Sequence, residues 1–163
     1  MRTRNDIVRL PRGRNAVVGM VLCLLCACST VPAYHHYEHV AEEGWDKRDT
    51  MVFSVDTIVR PGRYVTTLCV RTDATYPYRN LSVRVARQSG PSGGAVTRRV
   101  DFDITRENGT RNGNGITYYT YEKTIDTLEL RPGDSLAVKV AHNMRGETVI
   151  GVTDVGVKVA LEE

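Results

Sequence analysis

Val155-Gly156-Val157-Lys158-Val159-Ala160-Leu161-Glu162, near the end of the 163-residue chain, decides the fold. Apolar side chains recur at every second position, and only a β-strand places residues i, i+2 and i+4 on one face. A strand with one buried face and one wet face requires this alternation. The same period recurs upstream. Met51, Phe53 and Val55 alternate with Val52, Ser54 and Asp56; Leu81, Val83 and Val85 with Ser82, Arg84 and Ala86. Val100, Phe102 and Ile104 alternate with Asp101, Asp103 and Thr105, and Leu136, Val138 and Val140 with Ala137, Lys139 and Ala141. Residues 64–73 and 116–130, rich in Thr, Tyr, Val and Ile, bring the total to about eight strands.

The connections agree with this period. Arg60-Pro61-Gly62-Arg63 and Arg131-Pro132-Gly133-Asp134 place Pro and Gly at the centre of a tetrapeptide. Proline presets φ near −65° and glycine supplies positive φ, so type II turns are expected at both. Asn108-Gly109, Asn112-Gly113 and Asn114-Gly115 fill one polar loop, and Ser89-Gly90-Pro91-Ser92-Gly93-Gly94 forms another. No 12-residue segment carries a helical stripe. The expectation is all-β: a single antiparallel β-sandwich, jelly-roll-like, of about eight strands.

The first residues read differently. Arginines 2, 4, 9, 12 and 14 precede the short apolar run Ala16-Val17-Val18-Gly19-Met20-Val21-Leu22-Cys23-Leu24-Leu25. Ten apolar residues are half of the roughly 20 needed to span a bilayer, but they suit the core of a secretory signal. Leu25-Cys26-Ala27-Cys28 resembles a bacterial lipobox, in which the final cysteine is acylated and becomes the first mature residue. Residues 1–27 are therefore expected to be a lipoprotein signal peptide, 28–44 a lipidated N-terminus and tether, and 45–163 the sandwich. Cys28 is the lipidation site and palmitate-type acyl chains the only covalent addition, with no cofactor beyond them. Ser29 lacks the aspartate that retains some lipoproteins at the inner membrane, so the outer membrane, facing the periplasm, is the expected address.

Processing changes the charge. The whole chain holds 22 basic and 19 acidic residues; the leader removes five arginines and Asp6, turning +3 into −1. The basic excess belongs to the targeting segment, which leaves no electrostatic footprint for nucleic acid. Of the four cysteines, Cys23 and Cys26 go with the leader and Cys28 takes lipid. Cys69, in an apolar run, is expected to be buried and inert, so the core must stand without a disulfide.

A search for chemistry finds little. His35, His36 and His39 have metal-compatible spacing but fall in the expected tether. His142, near a strand end, reads as a hydrogen-bonded structural residue. Asp101 and Asp103 share one strand face, which is the outward one, where carboxylates are simply solvated. No phosphate loop and no nucleophile elbow occurs. No metal site and no catalytic residues are assigned, and the chain reads as non-enzymatic. The aromatics Trp45, Tyr76, Tyr78, Tyr118, Tyr119 and Tyr121 form the candidate binding surface, because flat rings with polar edges can stack on sugars or anchor a protein partner. The same rings are equally suited to the core and rim of a sandwich.

Three stretches carry a resemblance: Trp45 shortly before the first expected strand, Tyr76-Pro77-Tyr78-Arg79-Asn80-Leu81, and Gly151-Val152-Thr153-Asp154-Val155-Gly156. With the lipobox, in this order and spacing, the chain resembles the gliding motility lipoprotein GldH family over most of residues 28–163. It departs in the middle, where Asn112-Gly113-Asn114-Gly115-Ile116 stands in for a Gly-rich stretch with Trp or Leu before Gly-x-Gly. The resemblance implies a membrane-anchored, non-enzymatic interaction or structural component of the gliding and associated secretion apparatus, with other cell-envelope proteins as partners. Relatives also occur in bacteria that do not glide. The alternative is a carbohydrate-binding outer-membrane lipoprotein of a polysaccharide-uptake system, which coplanar exposed rings would favour.

Overall fold

The computed structural model describes residues 32–90 and 93–162. They form ten strands and, among the described residues, no helix. The strands are β1 Tyr34–His39, β2 Trp45–Asp46, β3 Met51–Val55, β4 Gly62–Thr72, β5 Asn80–Ser89, β6 Val96–Asp103, β7 Tyr119–Leu130, β8 Leu136–His142, β9 Thr148–Val149 and β10 Val152–Leu161. Two four-stranded sheets run in the order β1-β10-β4-β7 and β3-β8-β5-β6, and β2-β9 is a two-residue ladder. Every pairing is antiparallel.

The topology has a simple origin. Setting aside the two-residue strands, the first strand pairs with the last, the second with the second-last, and so inward: β1 with β10, β3 with β8, β4 with β7, β5 with β6. Such pairing is a long hairpin rolled upon itself, and the crossings β10–β4 and β8–β5 complete the two sheets. This is the jelly-roll form of the sandwich, as the alternation and turn spacing led us to expect.

The alternating residues face as their period dictates. Val155, Val157 and Val159 of β10 are buried with Leu68 and Val70 of β4, against Phe53, Leu81, Val83, Val138 and Val140 of the opposite sheet, in one cluster. Two irregularities adjust the register. Opposite Thr66/Thr67, β7 carries one extra residue between Thr124 and Asp126. The bulge buries Ile125 and aims Asp126 at Arg87, 2.8 Å from its Nε. In β10 the shift lies between Val152 and Asp154, and the displaced Thr153 carbonyl accepts the Val40 N–H at 2.9 Å.

The expected tether is shorter than the sequence indicated. Residues 34–39 are not a lead-in but strand β1, paired along its length with β10 from Tyr34–Val159 to His39–Asp154. Its burial does not alternate, because an edge strand beside a sandwich rim leaves polar residues on both faces. Gly156 admits it: a Cβ there would meet the Tyr37 ring at 2.6 Å and the His36 carbonyl at 2.8 Å. The turns also differ from one another. Gly133 has φ +92° and Asp134 N–H donates to Arg131 O at 3.0 Å, the expected type II geometry. Gly62, at φ +152°, instead opens β4. The expected leader, Cys28 and Ser29 lie outside the described residues.

Candidate interaction surface

Antiparallel order sorts the connections onto two ends. Pro32, where the described chain begins, lies at the entry end, with Gly90, residues 93–95 and the 56–61 and 131–135 connections. The 40–50, 73–79, 104–118 and 143–151 connections lie at the far end. All six aromatics of the candidate surface gather at the far end, and the structure divides them into interior and surface.

Trp45 is buried; its indole N–H donates to Asp49 O at 3.2 Å, and it meets the His142 ring edge-on at 5.6 Å. Tyr76 is buried, with its hydroxyl donating to Asn80 O at 2.8 Å, and burial raises its pKa far above the ordinary tyrosine value. Tyr121 is buried and donates to Ile104 O at 3.2 Å. Tyr78 and Tyr118 remain 43% and 56% exposed, and Tyr119 is half-buried beneath the Arg111 guanidinium, 5.7 Å away. The ring contact within this set, Tyr76 against Tyr78, is edge-on at 75°. Coplanar rings, the geometry a sugar platform requires, are not assembled by this set. The outward face of the second sheet carries small and charged side chains instead, among them Arg84, Ala86, Arg99, Asp101, Ala137 and Lys139.

The far-end loops are tied together. Arg111 Nη2 donates to Ala74 O at 3.1 Å and Tyr76 O at 3.0 Å, joining 104–118 to 73–79. Asp73 N–H donates to Gly151 O at 3.0 Å, joining 73–79 to 143–151. The Gly-Asn stretch packs onto β7: a Cβ at Gly113 would meet the Tyr121 ring at 2.7 Å, and Asn114 and Thr120 exchange backbone bonds at 3.0 and 2.9 Å. On this frame Tyr118 and Ile150 line a groove of about 320 Å³ with Val40, Glu42 and Asp73. Ile116, at the tip of its loop, is 92% exposed. Sequence reasoning missed Ile116, Ile150 and Arg111. The only signals were an isolated apolar residue beside Gly115 or Gly151 and an arginine in a polar loop.

Asp101, His36, His39 and His142 each have a structural partner. Asp101 and Asp103 border a notch of about 540 Å³ with Asn112, Glu122 and Lys123. Asp101 bonds Arg99 Nε at 2.9 Å, while Lys123 Nζ donates to the Asp101 carbonyl at 2.8 Å. The neighbouring Ser82 hydroxyl, then Arg99 and Lys123, hold the Asp101 carboxyl below its usual range. His36 contacts Glu38 at 3.1 Å and His39 contacts Asp154 at 3.3 Å, so the three β1 histidines do not converge. Among the described residues no group of three metal-ligating side chains forms. His142 is buried, and desolvation lowers its pKa, with the Glu147 backbone acting in the opposite sense. Cys69 is fully buried, and burial raises its thiol pKa.

The described residues thus form a rolled sandwich, eight long strands and one short ladder, whose far-end loops are tied together. The chain belongs to the GldH lipoprotein family, whose model matches residues 32–159. It is similar to the gliding motility lipoprotein GldH of Flavobacterium johnsoniae, 23% identical over 152 residues that cover 89% of this chain and 94% of the relative. Among solved structures, it is similar to the infectious bursal disease virus VP2 subviral particle (16% identity, TM-score 0.38, 82% of this chain and 32% of that one). It is also similar to a family GH115 4-O-methyl-α-glucuronidase (13% identity, TM-score 0.42, 83% of this chain and 18% of that one). The chain spans less than a third of either.

Proposed function

We propose that this protein is a lipid-anchored, non-enzymatic interaction module of the gliding-motility and associated secretion apparatus. Cys28 holds it to the outer membrane, facing the periplasm, and the far-end loops contact another cell-envelope protein. One observation carries the reading. Of seven large apolar side chains exposed among the described residues, four (Tyr78, Ile116, Tyr118 and Ile150) lie on the loops opposite the chain entry. A domain tethered at one end and apolar at the other is suited to reach a partner away from its own membrane. The occupied state of Asp101 and the burial of His142 support a binding role over a catalytic one.

A photo-crosslinking residue at 118 or 150, with purification through a C-terminal tag from cells, tests this. Recovery of motility or secretion components from these positions, and not from position 97 on β6, is the expected result. Recovery of glycan-uptake proteins instead would overturn it.

A further inference from the structure

The entry end has its own exposed apolar residue, and it is rigidly held. Ile58 is buried; its N–H donates to Asp134 O at 2.8 Å, and Gly133 N–H donates back to Ile58 O at 2.9 Å. The Tyr64 hydroxyl donates to Arg60 O at 2.9 Å. The two Pro-Gly loops are thereby zipped together, and the residue between these fixed points, Val59, is turned outward at 80% exposure. A single exposed valine is ordinary. This one lines a groove of about 360 Å³ with Pro32, Ala33, Thr57 and Arg60, at the point where the tether joins the domain.

The reach of the tether decides what lies opposite. Three residues separate Cys28 from Pro32, and four extended steps span at most about 14 Å. Strand β4, 11 residues long, extends about 36 Å at ~3.3 Å per residue. With acyl chains on Cys28, the entry end is therefore held next to the lipid, while the far end is carried away. Arg60 and Arg131 make no ion pair among the described residues. The acidic groups of this end are Asp56, Glu129, Asp134 and Glu162; Asp134 accepts the Arg131 N–H at 2.8 Å, and Glu162 is paired with Arg63 at 2.9 Å.

We propose that the 56–61 and 131–135 loops form a docking surface for a phospholipid headgroup layer. Val59 enters the boundary between headgroups and acyl chains, and Arg60 and Arg131 meet phosphates beside it. This rests on the acylation of Cys28, and its consequence is a fixed orientation with the far-end surface pointing away from the membrane.

The test uses the acylated protein with residues 1–27 removed, in vesicles of phosphatidylethanolamine and phosphatidylglycerol. Val59→Cys and, separately, Ile116→Cys carry an environment-sensitive dye; Cys69 is buried and stays unlabelled. Flotation with the vesicles reads the anchor. The dye at 59 is expected to shift to the blue and be quenched by spin-labelled lipid, while the dye at 116 is not. Circular dichroism melting that matches the unsubstituted protein verifies each variant. A protein that floats while the dye at 59 behaves like the dye at 116 overturns the docking surface alone. A protein that does not float overturns the anchor, and the docking surface with it.

Discussion

Gly151 sits against the backbone of Tyr76: a Cβ at position 151 would overlap the Tyr76 nitrogen and come within 2.5 Å of its Cα. The two motifs that carry the family resemblance, at 76–81 and 151–156, are thus two sides of one contact. Gly151 also has φ +77°, where a side chain is strained. Gly151→Ala is expected to lower stability by about 2 kcal/mol or more, combining left-handed strain with backbone collision. Urea unfolding measures it. Gly146→Ala, whose nearest neighbour would be 3.5 Å away, serves as the control and should shift the midpoint little.

Tyr37 covers Gly156 and, across the sheet, Cys69, with the Arg71 guanidinium 4.0 Å from its ring. Tyr37→Ala is expected to make Cys69 react with a thiol reagent in native buffer, where the unsubstituted thiol does not. Equal reaction rates in the two proteins would contradict the cover.

Burial, and then the adjacent Cys69 thiol, push the Tyr37 pKa up to about 12 from an ordinary 10.0. The folded state therefore favours the neutral phenol. That contribution is complete below pH 10 and is lost as pH rises from 10 toward 12. Ultraviolet titration should show a tyrosine that ionises late, and the melting temperature should fall over the same interval. Tyr37→Phe should flatten part of that fall.

His142 has the opposite sense. Its folded pKa lies below the ordinary 6.5, so its contribution is present above pH 6.5 and is lost as pH falls below that value. Trp45, the single tryptophan, touches its ring and reports on it. Trp45 fluorescence is expected to hold steady through pH 6.5 and to change only at lower pH. A titration step centred on pH 6.5 in the folded protein would refute the burial of this histidine.

Trp45→Ala is expected to cost about 3–5 kcal/mol, as for other buried aromatics. Tyr118→Ala and Ile150→Ala should stay within about 0.5 kcal/mol yet reduce crosslinking to the partner. Thermal melts beside the crosslinking yields separate the two classes of aromatic and apolar residue.

Much of the fold is legible in the chain itself. The strands at 51–55, 81–88, 100–104, 136–141 and 155–161 follow from the alternation, because each turns one face to the core and the other outward. β1 is not legible in this way. His35, His36, Glu38 and His39 are polar on both faces, and the strand exists because Gly156 and Tyr37 meet although they lie far apart along the chain. The aromatics stand out as a set, but local sequence hides their division. Trp45 and Tyr121 are buried and Tyr118 exposed because of which loop folds over each ring, and no local pattern encodes that.

By itself, then, the chain's periodicity and its Pro-Gly turns determined an antiparallel sandwich, because strand alternation is a property of neighbouring residues. The tertiary structure alone decided which strands pair, that β1 closes an edge, and that the apolar loops collect at the end opposite Pro32. Those outcomes depend on contacts between residues far apart in sequence, through close approaches such as Gly151 on Tyr76 that only the rolled hairpin brings about.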